Sequence, residues 1–331
     1  MKIKNFLENK FISVVGVCAL VLGPLYDAVE NSVFTWIIFS ILLILFIIGI
    51  IDQYKTNKKI ENSIIHIPIV IKVDDGPDSK YVMKDLIKNI ESNYNFSDYE
   101  NILQKYYSIN VNRFIFEENC NMYDFERLVN FARIIKYNIS QIESILEKPV
   151  KFHIAFYRRP MVGFLIGTIF RTNNITIYQN NDSKNCFNKV ANIENRKYKE
   201  RIDNFTKYKV VENIKDENDN SILVTIDSAS HFVNKNEESL KKYSNFVNIT
   251  LIENGTIPYT SDWSEYSQEI YNVLNDLQTR FKSITIAHSM PEAISVILGM
   301  ALENYWNIKI TQYTNGSYPI IYSMNQIKYY F

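Results

Sequence analysis

The sequence predicts an α/β protein in which an N-terminal transmembrane helical hairpin is followed by largely parallel sheets. Three observations lead to this fold class. Two long uncharged runs lie close to the N-terminus. Behind them, short apolar runs alternate with amphipathic stretches, as they do when helices connect the strands of a parallel sheet. Finally, one strand and helix recur in the second half of the chain, which indicates an internal repeat.

The prediction of a hairpin over residues 1–59 is based on the two uncharged runs. Val33–Ile51 has no charge and no proline over 19 residues, enough helix to cross a bilayer at about 1.5 Å per residue. Phe11–Tyr26 is uncharged over 16 residues and contains Gly23-Pro24 near its end. We expect helices at about 11–27 and 33–51, joined by a short acidic turn. A cleaved signal peptide is the alternative for the first run, although no small-x-small cleavage pattern follows it.

Basic residues flank the hairpin and predict its orientation. The turn between the helices carries only Asp27 and Glu30, and the outer flanks carry Lys2, Lys4, Lys10, Lys55, Lys58 and Lys59. Because basic flanks stay on the cytoplasmic side of a membrane, we expect both termini in the cytoplasm. Gly16, Ala19 and Gly23 give the first helix a face of small residues. This face packs either within one hairpin or between the hairpins of neighbouring chains, and the sequence leaves both open.

Composition limits the classes of function. Lys and Arg balance Asp and Glu at 36 each, so the chain lacks the basic excess typical of proteins that bind nucleic acid in bulk. The three cysteines are far apart, which supports neither a disulfide framework nor a zinc site. The sequence also has no Gly-x-x-x-x-Gly-Lys loop and no Gly-x-Gly-x-x-Gly turn, which argues against an ordinary NTPase or dehydrogenase.

Periodicity assigns the remaining elements in chain order. The predicted strands are 64–73, 111–116, 151–157, 175–178, 222–226, 247–252, 283–288 and 308–313. The predicted helices are 81–94, 124–146, 160–171, 263–281 and 291–304. Residues 182–204 are polar and lose periodicity, so we interpret them as a linker between halves at about 60–181 and 205–331. Its basic residues are expected to be solvated rather than to contact phosphate.

The repeat is visible in two strand–helix units. Phe152–Ala155 aligns with Ile284–Ala287, and twelve residues beyond each alanine stands a glycine, Gly167 or Gly299. In each unit, the helix between the strand and the glycine is expected to start at a proline and to be apolar along most of its length. Ile71–Asp74 similarly matches Val224–Asp227. The βα units of the first half therefore recur in the second half.

These motifs, followed by Tyr318-Pro319 near the C-terminus, resemble the SAVED domain, and the likeness covers about residues 64–331. The resemblance implies two fused Rossmann-like, CARF-like halves that sense a cyclic oligonucleotide in bacterial anti-phage signalling. With the hairpin, the chain resembles the two-transmembrane SAVED effectors of CBASS operons. It implies a ligand made by a partner nucleotidyltransferase, homo-oligomerisation on binding, and disruption of the inner membrane by clustered hairpins, which causes abortive infection.

The candidate ligand residues follow mainly from the rule that parallel sheets bind ligands beyond the C-terminal ends of their strands. They are Asp74, Tyr157, Arg158, Arg159, Tyr178, Asp227, Ser228, His288, Ser289 and Tyr313. Two neighbouring arginines can hold phosphate oxygens bidentately, and tyrosines can stack on bases. The alternatives are that Arg158 and Arg159 are solvated or paired with glutamates of the other half, and that the tyrosines belong to the core.

A catalytic role has less support in the sequence. Ser289, His288, Asp227 and His231 could form a hydrolytic triad, but no Gly-x-Ser-x-Gly elbow and no His-Glu-x-x-His motif frames them. We therefore expect no catalytic residue, no metal and no cofactor apart from the activating ligand. Two alternatives stay open. The chain could be a membrane-anchored enzyme that degrades a cyclic nucleotide, or a passive sensor that recruits another effector.

Overall fold

A computed structural model describes residues 63–331 except 122, 182, 185, 217 and 254, and in the predicted hairpin only 37, 40, 41, 44, 47, 48 and 51. These seven residues are helical and exposed. The first predicted helix, the turn and both basic flanks lie outside the described residues. Within the described part, no helix combines the length and apolar character needed to cross a membrane. The chain divides into two compact units, residues 1–64 and 65–331.

The first half of the larger unit forms a five-stranded sheet. Its strands are β1 (Ile65–Val73), β2 (Ile115–Glu118), β3 (Val150–Tyr157), β4 (Asn174–Asn181) and β5 (Cys186–Ile193), in the spatial order β2-β1-β3-β4-β5. The first four strands are parallel and β5 is antiparallel to β4. Pro68 is tolerated within β1 because β2 pairs only with residues 70–73, which leaves β1 an edge strand at the proline.

The second half forms a six-stranded sheet. Its strands are β6 (Tyr208–Asn213), β7 (Ser221–Asp227), β8 (Phe246–Leu251), β9 (Ser283–Ser289), β10 (Ile308–Thr311) and β11 (Ile320–Ser323), in the order β11-β10-β9-β7-β8-β6. The four central strands are parallel, and β6 and β11 pair antiparallel at the two edges. The predicted α/β class with mostly parallel sheets is therefore confirmed for this unit.

Eight helices of the larger unit are described. They are α1 (Ser79–Tyr94), α2 (Tyr99–Tyr107), α3 (Phe125–Ile145), α4 (Pro160–Ile169), α5 (Glu238–Lys241), α6 (Trp263–Arg280), α7 (Glu292–Ala301) and α8 (Met324–Ile327). The long helices α3 and α6 are amphipathic and bury one face. In contrast, α4 is apolar and buried almost all round and α7 is buried all round, as expected for helices enclosed between two layers.

Helices α4 and α7 cross at small residues that occupy matching positions of the repeat. A Cβ atom at Gly163 would overlap the Ser295 side chain, and one at Gly167 would lie 2.7 Å from the Gly299 Cα. Contacts between matching positions along both helices mean that the helices run in the same direction. Their N-termini, and the ends of the strands β3 and β9 that precede them, therefore lie at the same end of the domain.

Residues 182–204 are not the bare linker that the sequence indicated. They contain β5, which extends the first sheet, and Phe187, Val190, Ala191 and Ile193 are buried there. The β4–β5 pairing has a register shift between Ile177 and Tyr178. This irregularity breaks the alternation of buried and exposed residues, so the strand is hard to see in the sequence.

Candidate functional site

The polar edges of the two sheets meet beside the α4–α7 crossing. Strands β1 and β3 end at Val73 and Tyr157, and in parallel sheets these ends lie on one edge. The matching strands β7 and β9 end at Asp227 and Ser289. The edges of the two halves are in direct contact, because the Arg158 backbone amide donates a hydrogen bond to Glu292 Oε1 at 3.2 Å.

Three residues at the first edge have left-handed backbone conformations although none is glycine. They are Asp74 (φ 67°), Arg158 (φ 72°) and Arg159 (φ 56°). Such conformations cost about 1–3 kcal/mol each and tend to occur where a site needs a particular geometry. Arg159 Nε pairs with Asp74 Oδ2, and Arg159 Nη1 is buried with no hydrogen-bond partner in the part of the chain that the structure describes. The structure thus brings these three candidates together.

Arg158 differs from the other basic side chains near this edge. Lys72 pairs with Glu117 and Arg127 pairs with Glu118, each at 2.7 Å. The Arg158 side chain is exposed, and within residues 63–331 as described it makes no ion pair. It is therefore a guanidinium available to an anion from solution, and it stands beside the contact between the two halves.

Tyr157 is held inside the protein by the loop that follows β1. It is 3% exposed, its hydroxyl donates to the Pro77 carbonyl oxygen at 2.8 Å, and it lies 3.0 Å from Ser79 Oγ. The ring occupies the space that a side chain at Gly76 would need. Tyr157 therefore shapes the loop that carries Asp74, and its ring is not open to a base in this conformation.

Tyr178 also lies in the core, 1% exposed. Its hydroxyl is 3.0 Å from His153 Nδ1, and His153 Nε2 is 2.9 Å from His66 Nδ1. Burial lowers the pKa of both histidines, that of His66 to about 4, so the network is uncharged at neutral pH. Like Tyr157, Tyr178 has no ring face open for stacking on a base.

The candidates in the second half make local contacts. Asp227 Oδ1 accepts a hydrogen bond from the Val233 amide at 2.7 Å, and burial raises the pKa of this carboxyl group. Ser228 is 2.8 Å from the Tyr208 hydroxyl, and its amide donates to the Ser289 carbonyl oxygen at 2.7 Å. These contacts hold the ends of β7 and β9 together. The Asp227 carboxylate is directed at the backbone amide of Val233.

His288 is the unusual member of the set. It is 7% exposed, its ring packs 5.8 Å from that of Phe164, and neither ring nitrogen has a hydrogen-bond partner among the described residues. Burial lowers the pKa of the ring to about 4, and the Thr311 backbone opposes this shift. Its counterpart in the repeat is Phe156, so the second half has a polar ring where the first has an apolar one.

The residues of the postulated triad do not form one. An activated serine needs a base within hydrogen-bonding distance, and the base in turn needs a partner that orients it. The unpartnered His288 ring satisfies neither condition towards Ser289 or Asp227. Within the described residues there is also no cluster of three or more potential metal ligands.

Tyr313 is the one candidate tyrosine with an accessible ring. It is 50% exposed, and its ring centroid lies 5.0 Å from that of Tyr318 in a tilted pair. It follows β10, the strand beside β9. A base could therefore stack on Tyr313 without any movement of the core.

Two polar residues at the edge were missed by the sequence analysis. Glu292 Oε2 accepts a hydrogen bond from Gln179 Nε2 at 2.7 Å, and Gln179 Oε1 accepts one from the Ala293 amide at 3.0 Å. Gln179 is 7% exposed. The available signal was a charged residue, Glu292, directly after Pro291 at the start of an apolar helix.

A surface groove of about 360 Å³ lies away from this edge, around the start of α2 and the residues that precede β2. It is lined by Asp98, Glu100, Asn101, Gln104, Ile109, Asn110, Val111 and Asn112. Because no lining residue is basic, the groove is poorly suited to an anionic ligand.

The fold is similar to that of a receptor protein with solved structures. The Cap4 SAVED/CARF-domain receptor of Acinetobacter baumannii matches in a structure with the cyclic trinucleotide 2′3′3′-cAAA and in one with 3′3′3′-cAAA. Both matches have 12% identity and a TM-score of 0.50; they cover 85% and 92% of this chain but 56% and 66% of the receptor chains. At this identity the likeness shows the fold alone.

A comparison with curated proteins found no match. The family comparison is positive over most of the larger unit. The sequence profile of the SMODS-associated and fused to various effectors sensor domain matches residues 124–324. This range includes both repeated strand–helix units, the α4–α7 crossing and most of the candidate edge. The chain therefore belongs to the SAVED family.

Proposed function

We propose that the protein is a membrane effector of bacterial anti-phage signalling. A cyclic oligonucleotide made by a partner nucleotidyltransferase binds at the shared edge of the two halves. Binding drives the chains into a homo-oligomer in the inner membrane, and the clustered N-terminal hairpins disrupt that membrane, which causes abortive infection.

The meeting of two strand edges at the α4–α7 crossing is the observation that carries this proposal. A ligand seated there touches both halves at once, and the exposed Arg158 guanidinium offers it a cation. A cyclic oligonucleotide suits such a site because it presents several phosphates and bases on one compact ring. Membership of the SAVED family, and the trinucleotide-bound receptors with this fold, support the choice of ligand.

In this proposal the protein binds its ligand without consuming it. The nearest candidates for acid–base chemistry at the edge, His288 and Asp227, are buried and engaged by packing or by backbone rather than by each other. No metal or cofactor is required, since recognition depends on charge, hydrogen bonds and stacking.

The membrane step is proposed from the sequence. The first predicted helix has 16 uncharged residues and would span about 24 Å, against about 30 Å for a hydrocarbon core. A short helix thins the bilayer or favours association with other helices. A single hairpin is then tolerated, whereas many hairpins side by side open a leak.

One reconstitution experiment separates the proposed function from its rivals. The full chain is inserted into dye-loaded liposomes and exposed to a panel of cyclic di- and trinucleotides, and binding, nucleotide consumption and dye release are measured together. The proposal expects binding and release with the nucleotide intact. Turnover of the nucleotide would favour a degrading enzyme, and tight binding without release would favour a passive sensor.

A further inference from the structure

We propose that Glu292 is an internal anion that occupies the ligand edge of the free protein, and that the ligand must displace it. The proposal rests on the proposed function, because it concerns the regulation of the same site. It assigns a role to a residue that the sequence analysis did not single out.

The Glu292 carboxylate reaches from the second half to the first. Its Oε1 accepts from the Arg158 backbone amide at 3.2 Å and its Oε2 accepts from Gln179 Nε2 at 2.7 Å. Gln179 is held in turn by the Ala293 amide. Hydrogen bonds thus run in both directions between Gln179 on β4 and the first turn of α7, which begins at Glu292. We call this pair of hydrogen bonds the clasp.

An anionic ligand and Glu292 compete for the same place. The Arg158 amide is a donor that a phosphate oxygen could use, yet the carboxylate already takes it. A second negative charge close to Glu292 is repelled by it. Of the two flanking cations, Arg159 is already paired with Asp74, so the single charge of Arg158 cannot offset both anions.

Displacement of Glu292 would connect binding to a change in shape. Glu292 is the first residue of α7, and the backbones of α4 and α7 approach each other closely at Gly167 and Gly299. A ligand that frees Glu292 removes the clasp at one end of this crossing while the other end stays fixed. Arg171 fixes that other end, where it donates to the Leu302 carbonyl oxygen and to Asn304 Oδ1.

The test compares Glu292→Gln with the wild-type chain. Glutamine keeps the size and an acceptor oxygen for the Arg158 amide but removes the charge. Affinities of the full chain in detergent are measured for a panel of cyclic di- and trinucleotides and for inorganic pyrophosphate. We expect the variant to bind its best anion about tenfold more tightly at low salt, with a smaller gain at high salt.

Glu212→Gln is the matched control. It removes the same charge from the edge strand β6, where Glu212 pairs with Arg280 at 3.0 Å. We expect this variant to bind as the wild type does. Melting curves of all three proteins show whether each is folded.

The outcomes separate this inference from the proposed function. If wild type binds a cyclic oligonucleotide and Glu292→Gln binds it equally or more weakly, Glu292 is a ligand contact or a bystander, and the inference fails while the function stands. If only pyrophosphate binds, and more tightly to the variant, the inference stands and the proposed function fails. If no anion binds the variant more tightly than wild type, the inference is wrong.

Discussion

At the scale of single residues, the buried histidines make stability depend on pH. The folded pKa of His288 is about 4, below the ordinary value of 6.5 for the unfolded chain. As the pH falls, the unfolded chain therefore binds a proton first. The stability that the neutral ring allows is complete above about pH 6.5 and is lost progressively down to about pH 4.

Replacing His288 by Phe, the residue at the matching position of the first half, should remove part of this dependence. We expect the variant to retain up to about 3 kcal/mol more of its stability than wild type between pH 6.5 and pH 4. Denaturant unfolding at several pH values measures the effect. Parallel pH profiles for both proteins would contradict the assigned state of His288.

The candidate tyrosines should differ in their effect on ligand binding. Tyr313→Ala removes an exposed ring on which a base can stack, and stacking contributes about 1–3 kcal/mol per base. We expect a loss of affinity of about 5- to 100-fold. Tyr178→Phe should cost about 1 kcal/mol of stability through the lost contact with His153 and leave affinity unchanged.

Calorimetric titration of both tyrosine variants with the activating nucleotide measures these effects. A loss of affinity in Tyr178→Phe alone would mean that the core opens to admit the ligand. Equal affinities for Tyr313→Ala and wild type would remove Tyr313 from the site.

Residue-level prediction succeeded where a local rule applies. The end of a strand selects Asp74, Arg158 and Arg159, and the structure brings these three together. It failed for Glu292 and Gln179, whose contact joins residues 113 positions apart in sequence and from different halves. No periodicity within one half contains that information.

At the scale of elements, the α4–α7 crossing should tolerate substitution unequally. A Cβ at Gly167 would overlap the Val296 carbonyl oxygen, which is backbone and cannot move aside, whereas a Cβ at Gly163 would meet the Ser295 hydroxyl, which can rotate. We expect Gly167→Ala to cost about 2–4 kcal/mol and Gly163→Ala clearly less.

Unfolding midpoints of the two alanine variants test this difference. Equal losses in both would indicate that the crossing adjusts as a whole. An unaffected Gly167→Ala would contradict the close approach of the two helices.

The sequence predicted the elements with strong periodicity but missed strands at the edges of the sheets. The long helices α3 and α6 and the central strands agree with their predicted ranges within a few residues. The edge strands β6 and β11 were missed, because a strand with only one neighbour is partly exposed and has a weaker apolar pattern. The strand predicted at 111–116 is in fact a 3₁₀ turn, Val111–Phe114, followed by β2.

At the scale of the whole molecule, the repeat in the sequence was informative because it fixes how the halves meet. The matching positions Gly167 and Gly299 face each other, so the two strand edges lie side by side. The proposal that the hairpin acts on the membrane comes from the sequence and lies outside the described residues apart from seven positions between 37 and 51.

Gly16 and Gly23 offer a test of that proposal. Replacing both by Leu should leave nucleotide affinity intact and reduce ligand-dependent dye release from liposomes at least tenfold, because bulky side chains prevent close helix approach. Arg201→Leu, which places the same bulky side chain at an exposed position of the larger unit, is the control. Full dye release by the leucine variant would show that the small-residue face is irrelevant.

The central claim is that a cyclic oligonucleotide binds where the two halves meet, and Arg158 and Arg159 test it most directly. The measurement is the affinity of the full chain for its activating nucleotide, compared with Arg158→Ala/Arg159→Ala and with Arg201→Ala, whose side chain is 91% exposed. Hydrogen bonds to charged groups contribute about 1.5–3 kcal/mol each. The account predicts a loss of about 100-fold or more in the double variant and none in the control; an unchanged affinity in the double variant would contradict it.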